Sequence, residues 1–281
     1  MERSVEVDRW EPAGPVWLFC PADRPERFAK AAASADVVIL DLEDGVGADA
    51  KAVAREAIRD SRLDPARTVI RINPLDCPEV DHDLRLLAQS PYRVLMLPKA
   101  ETGALPAVLD GYDIIALVET PAGLRRVDEI AAAPRVVAVM WGAEDLVAAL
   151  GGSSSRHTDG SYRDVARQLR ATTLVAAKAQ GKLAVDGVYL DIPDLAGLAA
   201  EAEDAVASGY DIKVALHPTQ VPIIADAFRP EPDELAWARR VLTAAEHSRG
   251  VFAVDGRMVD APILSHARRI VARADSARVA R

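Results

Sequence analysis

The chain has 281 residues, half of them hydrophobic, and a formal net charge of −9 at pH 7. Acidic and basic residues are mixed along its whole length without a Lys/Arg block, which argues against a nucleic-acid partner. The opening "MERSVEVDRW" lacks the basic start and apolar core of a signal peptide, and no apolar run approaches the roughly 18 residues of a membrane span, so the expectation is a soluble cytoplasmic protein with no membrane partner.

In chain order, eight short β-branched runs alternate with Ala/Leu/Arg/Glu-rich helical stretches: "VWLFC" (16–20), "VVILDLE" (37–43), "TVIRI" (68–72), "RVLMLPK" (93–99), "DIIALVE" (113–119), "VVAVMWG" (136–142), "LAVDGVY" (183–189) and "KVALHP" (213–218). Near-continuous apolar strands separated by helices indicate a parallel sheet covered on its outer face, and eight such units predict an α/β fold of the (β/α)8 TIM-barrel type over residues 14–229. A doubly wound open sheet is the competing architecture. At "RPEPDE" the pattern breaks, and a long helix from about 232 to 247 begins a C-terminal extension, 230–281, with a short strand-like piece and a last helix. The extension exceeds what a barrel needs, so it is expected to pack on a neighbouring subunit. Cys20 and Cys77 have neither C-x-x-C spacing nor a histidine pattern beside them, which leaves reduced thiols and no zinc site.

Barrels of this type carry their sites at the C-terminal ends of the strands. Here those ends deliver Asp23 and Arg24, then Asp41, Glu43 and Asp44, then Arg71 and Asn73, Lys99, Glu119, Glu144 and Asp145, Asp186 and Asp191, and His217. A carboxylate at the end of an apolar strand, as in "DIIALVETPAGL", is costly unless it is paired. Glu119 and Asp145 follow adjacent runs and suit a magnesium ion, which needs only one or two protein carboxylates beside waters and substrate oxygens. The bland alternatives are a Glu119–Arg71 ion pair and helix capping by Asp145. Arg71 in "VIRIN" presents a fork that matches a carboxylate, and a metal beside it suits a 2-oxo acid. "CPADRPERFAKA" places Arg24, Arg27 and Lys30 around a strand-to-helix turn, where cations suit phosphates. "GVGADA" matches a loose dinucleotide pattern but sits among Asp41, Glu43 and Asp44, which would repel a pyrophosphate. "GGSSS" (151–155) reads as a plain surface connection, with a mobile loop over the site as the alternative.

"LFCPADRPERFAKA", "VILDLEDGV", "VIRIN", "LMLPKAE", "IIALVETPAG", "MWGAEDL", "LHPTQ" and "GRMVDAPIL" together resemble, in order and spacing, the citrate lyase β-subunit-like branch of the HpcH/HpaI aldolase superfamily, from about residue 14 to 270. The resemblance implies a magnesium-dependent barrel, commonly a homotrimer, that cleaves or forms a carbon–carbon bond between an acyl-CoA enolate and a 2-oxo acid. It implies that Glu119 and Asp145 hold the metal, that Arg71 binds the oxo-acid carboxylate, that Arg24 and Lys30 meet the phosphates of coenzyme A, and that Asp260 is an acid/base carried into a neighbouring subunit's site. Glu43 and Asp44 would lie near the metal. Ala22 departs from the glycine common in the family's first loop. Three alternatives stay open: an aldolase acting on an aldehyde, a citrate lyase β subunit acting on an acyl-carrier-protein thioester, and a non-catalytic acyl-CoA or oxo-acid binding protein.

Overall fold

In the computed structural model, which describes residues 9–248 and 250–279, the eight runs form parallel strands: β1 (Val16–Pro21), β2 (Val37–Asp41), β3 (Thr68–Arg71), β4 (Val94–Leu97), β5 (Asp113–Val118), β6 (Val136–Trp141), β7 (Leu183–Asp186) and β8 (Ile212–Ala215). Each pairs with the next and β1 pairs with β8, closing the barrel. The closed ladder excludes the open-sheet alternative.

Between the strands lie α1 (Phe28–Ser34), α2 (Lys51–Asp60), α3 (Val80–Ala88), α4 (Pro121–Arg125), α5 (Val127–Ala132), α6 (Ala143–Ala149), α7 (Asp164–Ala179) and α8 (Leu195–Ser208). Alternate strand residues point the same way. Val37 with Ile39, Ile115 with Leu117, Ala138 with Met140 and Ile212 with Val214 accordingly gather in one buried cluster. Each larger member contributes roughly 1.5–3 kcal/mol by leaving water.

Several strands are shorter than their apolar runs. The β2–β3 ladder ends at the Asp41–Arg71 pair, because the Asp41 carboxylate then accepts the main-chain N–H groups of Glu43 and Gly45 and turns the chain out of the sheet. Residues expected at strand ends, including Glu43, Lys99 and His217, therefore stand in the loops just beyond.

The chain divides into two compact units, residues 1–224 and 225–281, with the division inside α9 (Val221–Phe228). The second unit contains α10 (Pro232–Glu246), β9 (Phe252–Val254), β10 (Arg257–Val259) and α11 (Ala261–Val279). β9 and β10 form an antiparallel hairpin closed by Asp255 and Gly256, both at positive φ, as a two-residue Asp-Gly turn requires. Ala238, Val241, Val254, Val259, Ala267 and Ile270 form this unit's own apolar core.

Candidate active site

A cavity of about 350 Å³ opens within the barrel and is lined by loop and strand-end residues of the barrel itself. Phe19, Leu117, Met140 and Leu216 supply apolar wall, while Asp41, Arg71, Glu119, Glu144 and Asp145 bring the charge.

Glu119 follows β5 directly, and the "TPAG" after it starts a helix: Thr120 accepts the Gly123 N–H and Pro121 takes the first helical position. Sequence thus places one carboxylate between the end of a buried strand and a capped helix start. Glu119 is 4% exposed. Its Oε1 accepts the Lys99 main-chain N–H at 2.9 Å. Burial, aided by the charges of Asp145 and Glu43, pushes its pKa up to about 8, despite the Lys99 hydrogen bond and Arg71. A β-carbon on Gly142 would stand 2.8 Å from Glu119 Oε2, so only glycine leaves that oxygen its space.

Asp145 lies in the first turn of α6, whose cap position is Gly142 with no side-chain cap bond. Capping therefore does not explain it. The alternative of a Glu119–Arg71 ion pair is also not the arrangement found. Arg71 grips Asp41 through Nε (2.7 Å) and Nη2 (2.6 Å), and its Nη1 lies 2.8 Å from Glu43 Oε2. Its guanidinium stacks over the Phe19 ring at 4.7 Å. Burial works against the Arg71 charge, yet Asp41 and Glu43 hold its pKa above the ordinary arginine value. Two of its five N–H groups are hydrogen-bonded to Asp41, Nη1 meets Glu43 as an ion pair without hydrogen-bond alignment, and the side chain lines the cavity.

Lys99 completes the group. Its ammonium is 2.8 Å from Glu43 Oε1 and 3.5 Å from Asp145 Oδ1. Four acids, Asp41, Glu43, Glu119 and Asp145, thus share two cations, Arg71 and Lys99. A magnesium ion fits this donor set: the oxygens are hard, negative charge exceeds positive charge, and Glu119 is raised as a carboxylate lacking a sufficient counter-ion would be. Among the described residues no three His, Cys, Asp or Glu groups converge as a cage. The ion would therefore rest on two carboxylates and complete its shell with water and substrate oxygens.

The remaining residues singled out in the sequence fall elsewhere. Arg24 and Lys30 are exposed near the β1–α1 turn and do not line the cavity; Arg24 lies 3.7 Å from Asp23. Asp44 lines the cavity. Asp186 is fully buried between Lys213 (2.8 Å) and Arg170 (2.9 Å), a structural role. His217 caps the turn after β8, its ring bonded to Thr219. Asp260 stands in the second unit at the start of α11, where its Oδ1 accepts the Ile263 N–H. The stretch read as a plain surface connection is not one throughout. Ser155 is buried and donates to Glu144 Oε1, and the next residue, Arg156, lines the cavity with its guanidinium 3.6 Å above the Tyr162 ring. Nothing in that polar stretch distinguished Arg156 from a solvated loop charge.

Residues 16–218 match the model of the HpcH/HpaI aldolase/citrate lyase family. The chain belongs to that family. A citrate lyase subunit beta-like protein of Mycobacterium tuberculosis is 58% identical over 94% of this chain and 97% of its own length. A crystal structure of CitE from that organism, in complex with magnesium, acetoacetate and coenzyme A, superposes with a TM-score of 0.87 at 58% identity, covering 93% of this chain and 98% of that one. The human mitochondrial citramalyl-CoA lyase is 32% identical over 92% of this chain and 85% of its own length. The barrel expected of a family member is thus the barrel observed. No helix among the described residues is long and apolar enough to cross a membrane.

Proposed function

We propose that this family member is a magnesium-dependent carbon–carbon lyase that cleaves, or forms, a 3-hydroxyacyl-CoA thioester such as malyl-CoA or citramalyl-CoA, giving acetyl-CoA and a 2-oxo acid. The observation that carries the reading is the under-neutralised pair, Glu119 and Asp145, facing a cavity beside a guanidinium with donors to spare. The magnesium and coenzyme A in the similar CitE structure support it, and favour a CoA thioester over a carrier-protein thioester. The activity named for the human relative supports the reaction class.

Glu119 and Asp145 would hold the ion. Magnesium, when bound, supplies Lewis-acid stabilisation of negative charge on the keto oxygen. Arg71 directs N–H groups not bonded to Asp41 to the distal carboxylate of the substrate, with Asp41, Glu43 and Phe19 fixing the plane of the fork. The apolar walls exclude water from the reacting carbons. Cleavage passes the proton of the substrate hydroxyl to the Asp260 carboxylate, the oxygen's electrons close the keto C=O, and the electrons of the broken carbon–carbon bond pass into the thioester enolate. Asp260, brought from a neighbouring subunit of a homotrimer by the exchanged C-terminal segment, returns a proton to the enolate carbon. Arg24 and Lys30, exposed near the β1–α1 turn, meet the phosphates of coenzyme A.

The test is a panel of 3-hydroxyacyl-CoA thioesters with magnesium, read by release of the 2-oxo acid. The expected result is turnover that EDTA abolishes and that Asp260→Asn lowers by roughly 10²- to 10⁴-fold with little change in KM. Turnover unaffected by EDTA, or none on any member of the panel, contradicts the proposal.

A further inference from the structure

Lys99 is a lysine in the left-handed region, with φ +49°, a conformation that costs a side-chain-bearing residue of order 1 kcal/mol and persists where surrounding contacts demand it. Those contacts are three carboxylates. The Lys99 N–H donates to Glu119 Oε1 at 2.9 Å, and its ammonium donates to Glu43 Oε1 at 2.8 Å while standing 3.5 Å from Asp145 Oδ1. A right-handed backbone at this position would turn the N–H and the side chain in other directions.

We infer that Lys99 is a positioning residue for the divalent ion: it occupies Glu43, leaves Glu119 Oε2 and Asp145 for the metal, and lowers the metal's affinity as an internal competing cation. The inference rests on the magnesium reading of the preceding section. Glu43 is 4% exposed, with Lys99 on one oxygen and the Arg71 guanidinium beside the other, the latter as an ion pair without hydrogen-bond alignment. Both sides of that carboxylate are thereby covered by cations, which removes it from the ligand set despite its place in the cluster. Glu119 loses only Oε1 to Lys99, and Oε2 keeps the space opened by Gly142. The ammonium lies nearer to Glu43 than to Asp145, so an arriving ion displaces it only from the looser contact. A lysine suits this part because its charge is compact and its stem flexible, whereas a planar guanidinium would lock onto one acid. A cation this close to a ligand oxygen opposes the binding of a second cation.

The experiment is a calorimetric titration of MgCl₂ into metal-free wild-type protein, Lys99→Met, Glu43→Gln and the double variant, with thermal melts confirming that each is folded. Lys99→Met is expected to bind magnesium about tenfold tighter, a change of about 1.4 kcal/mol. A lysine that merely braced the loops would give weaker or unchanged binding on removal, and that result overturns the inference. Glu43→Gln should bind about tenfold more weakly, because the ammonium loses its anchor and leans on Asp145. In the Lys99→Met background the same change should cost threefold or less, as a double-mutant cycle reads coupling. Should Lys99→Met fail to fold, an unchanged affinity in Glu43→Gln overturns the inference by itself. Wild-type protein that takes up no magnesium overturns the function reading instead, so the two failures are distinguishable.

Discussion

The two sides of the barrel solve the same electrostatic problem differently. On the β7–β8 side, Asp186, Glu201 and Asp204 meet Lys213, Arg170 and Arg156 in matched ion pairs. Burial alone would raise the pKa of Asp186, yet Lys213 and Arg170 outweigh it and hold the carboxyl below its ordinary value. On the β2–β6 side, Asp41, Glu43, Glu119 and Asp145 share Arg71 and Lys99, and Glu119 is driven upward. A buried acid with a full complement of partners is part of the scaffold. A buried acid left short of positive charge, at a cavity wall, is where a cation can be taken up.

The largest expected effect of breaking this contrast is on the matched side. Lys213 is fully buried, and Lys213→Met leaves Asp186 and Glu201 short of a cation inside the protein. The expected loss is about 3–5 kcal/mol of unfolding free energy in urea. A loss below about 1 kcal/mol would mean that this network is not the structural counterweight described.

A smaller effect of opposite character sharpens the unmatched side. The Glu119 pKa lies near 8 in the folded metal-free protein and at the ordinary 4.5 when unfolded, so the folded state binds the extra proton between these values. Stability from this group is therefore fully present below about pH 4.5 and declines as pH rises through 8. Between pH 6 and 8 the wild type should lose roughly 2 kcal/mol relative to Glu119→Gln, measured by parallel denaturation curves. Parallel pH profiles for the two proteins would show that Glu119 carries its ordinary charge.

The barrel was legible in the sequence because eight apolar runs at regular spacing leave few architectures to bury them. The carboxylate pair was legible too, since Glu119 and Asp145 follow adjacent runs that do pair as β5 and β6. What the sequence did not separate was Asp186 from Glu119, as both end apolar runs. Their difference lies in partners from other elements: Lys213 two positions into β8 faces Asp186 and also Glu201 of α8. Lys99 was visible only as one more charge at a strand end, because its left-handed backbone, which aims it at three acids, has no signature in "LPKA". The engagement of Arg71 with Asp41 was hidden for a similar reason, being a product of the β2–β3 register.

The most direct test of the central claim is the stoichiometry and affinity of magnesium for the metal-free protein, compared with Glu119→Gln and Asp145→Asn, by titration calorimetry. The account predicts one ion per chain in the wild type and binding at least about 100-fold weaker in each variant, in keeping with the loss of one of only two protein ligands. Either variant binding the ion as tightly as the wild type would contradict it.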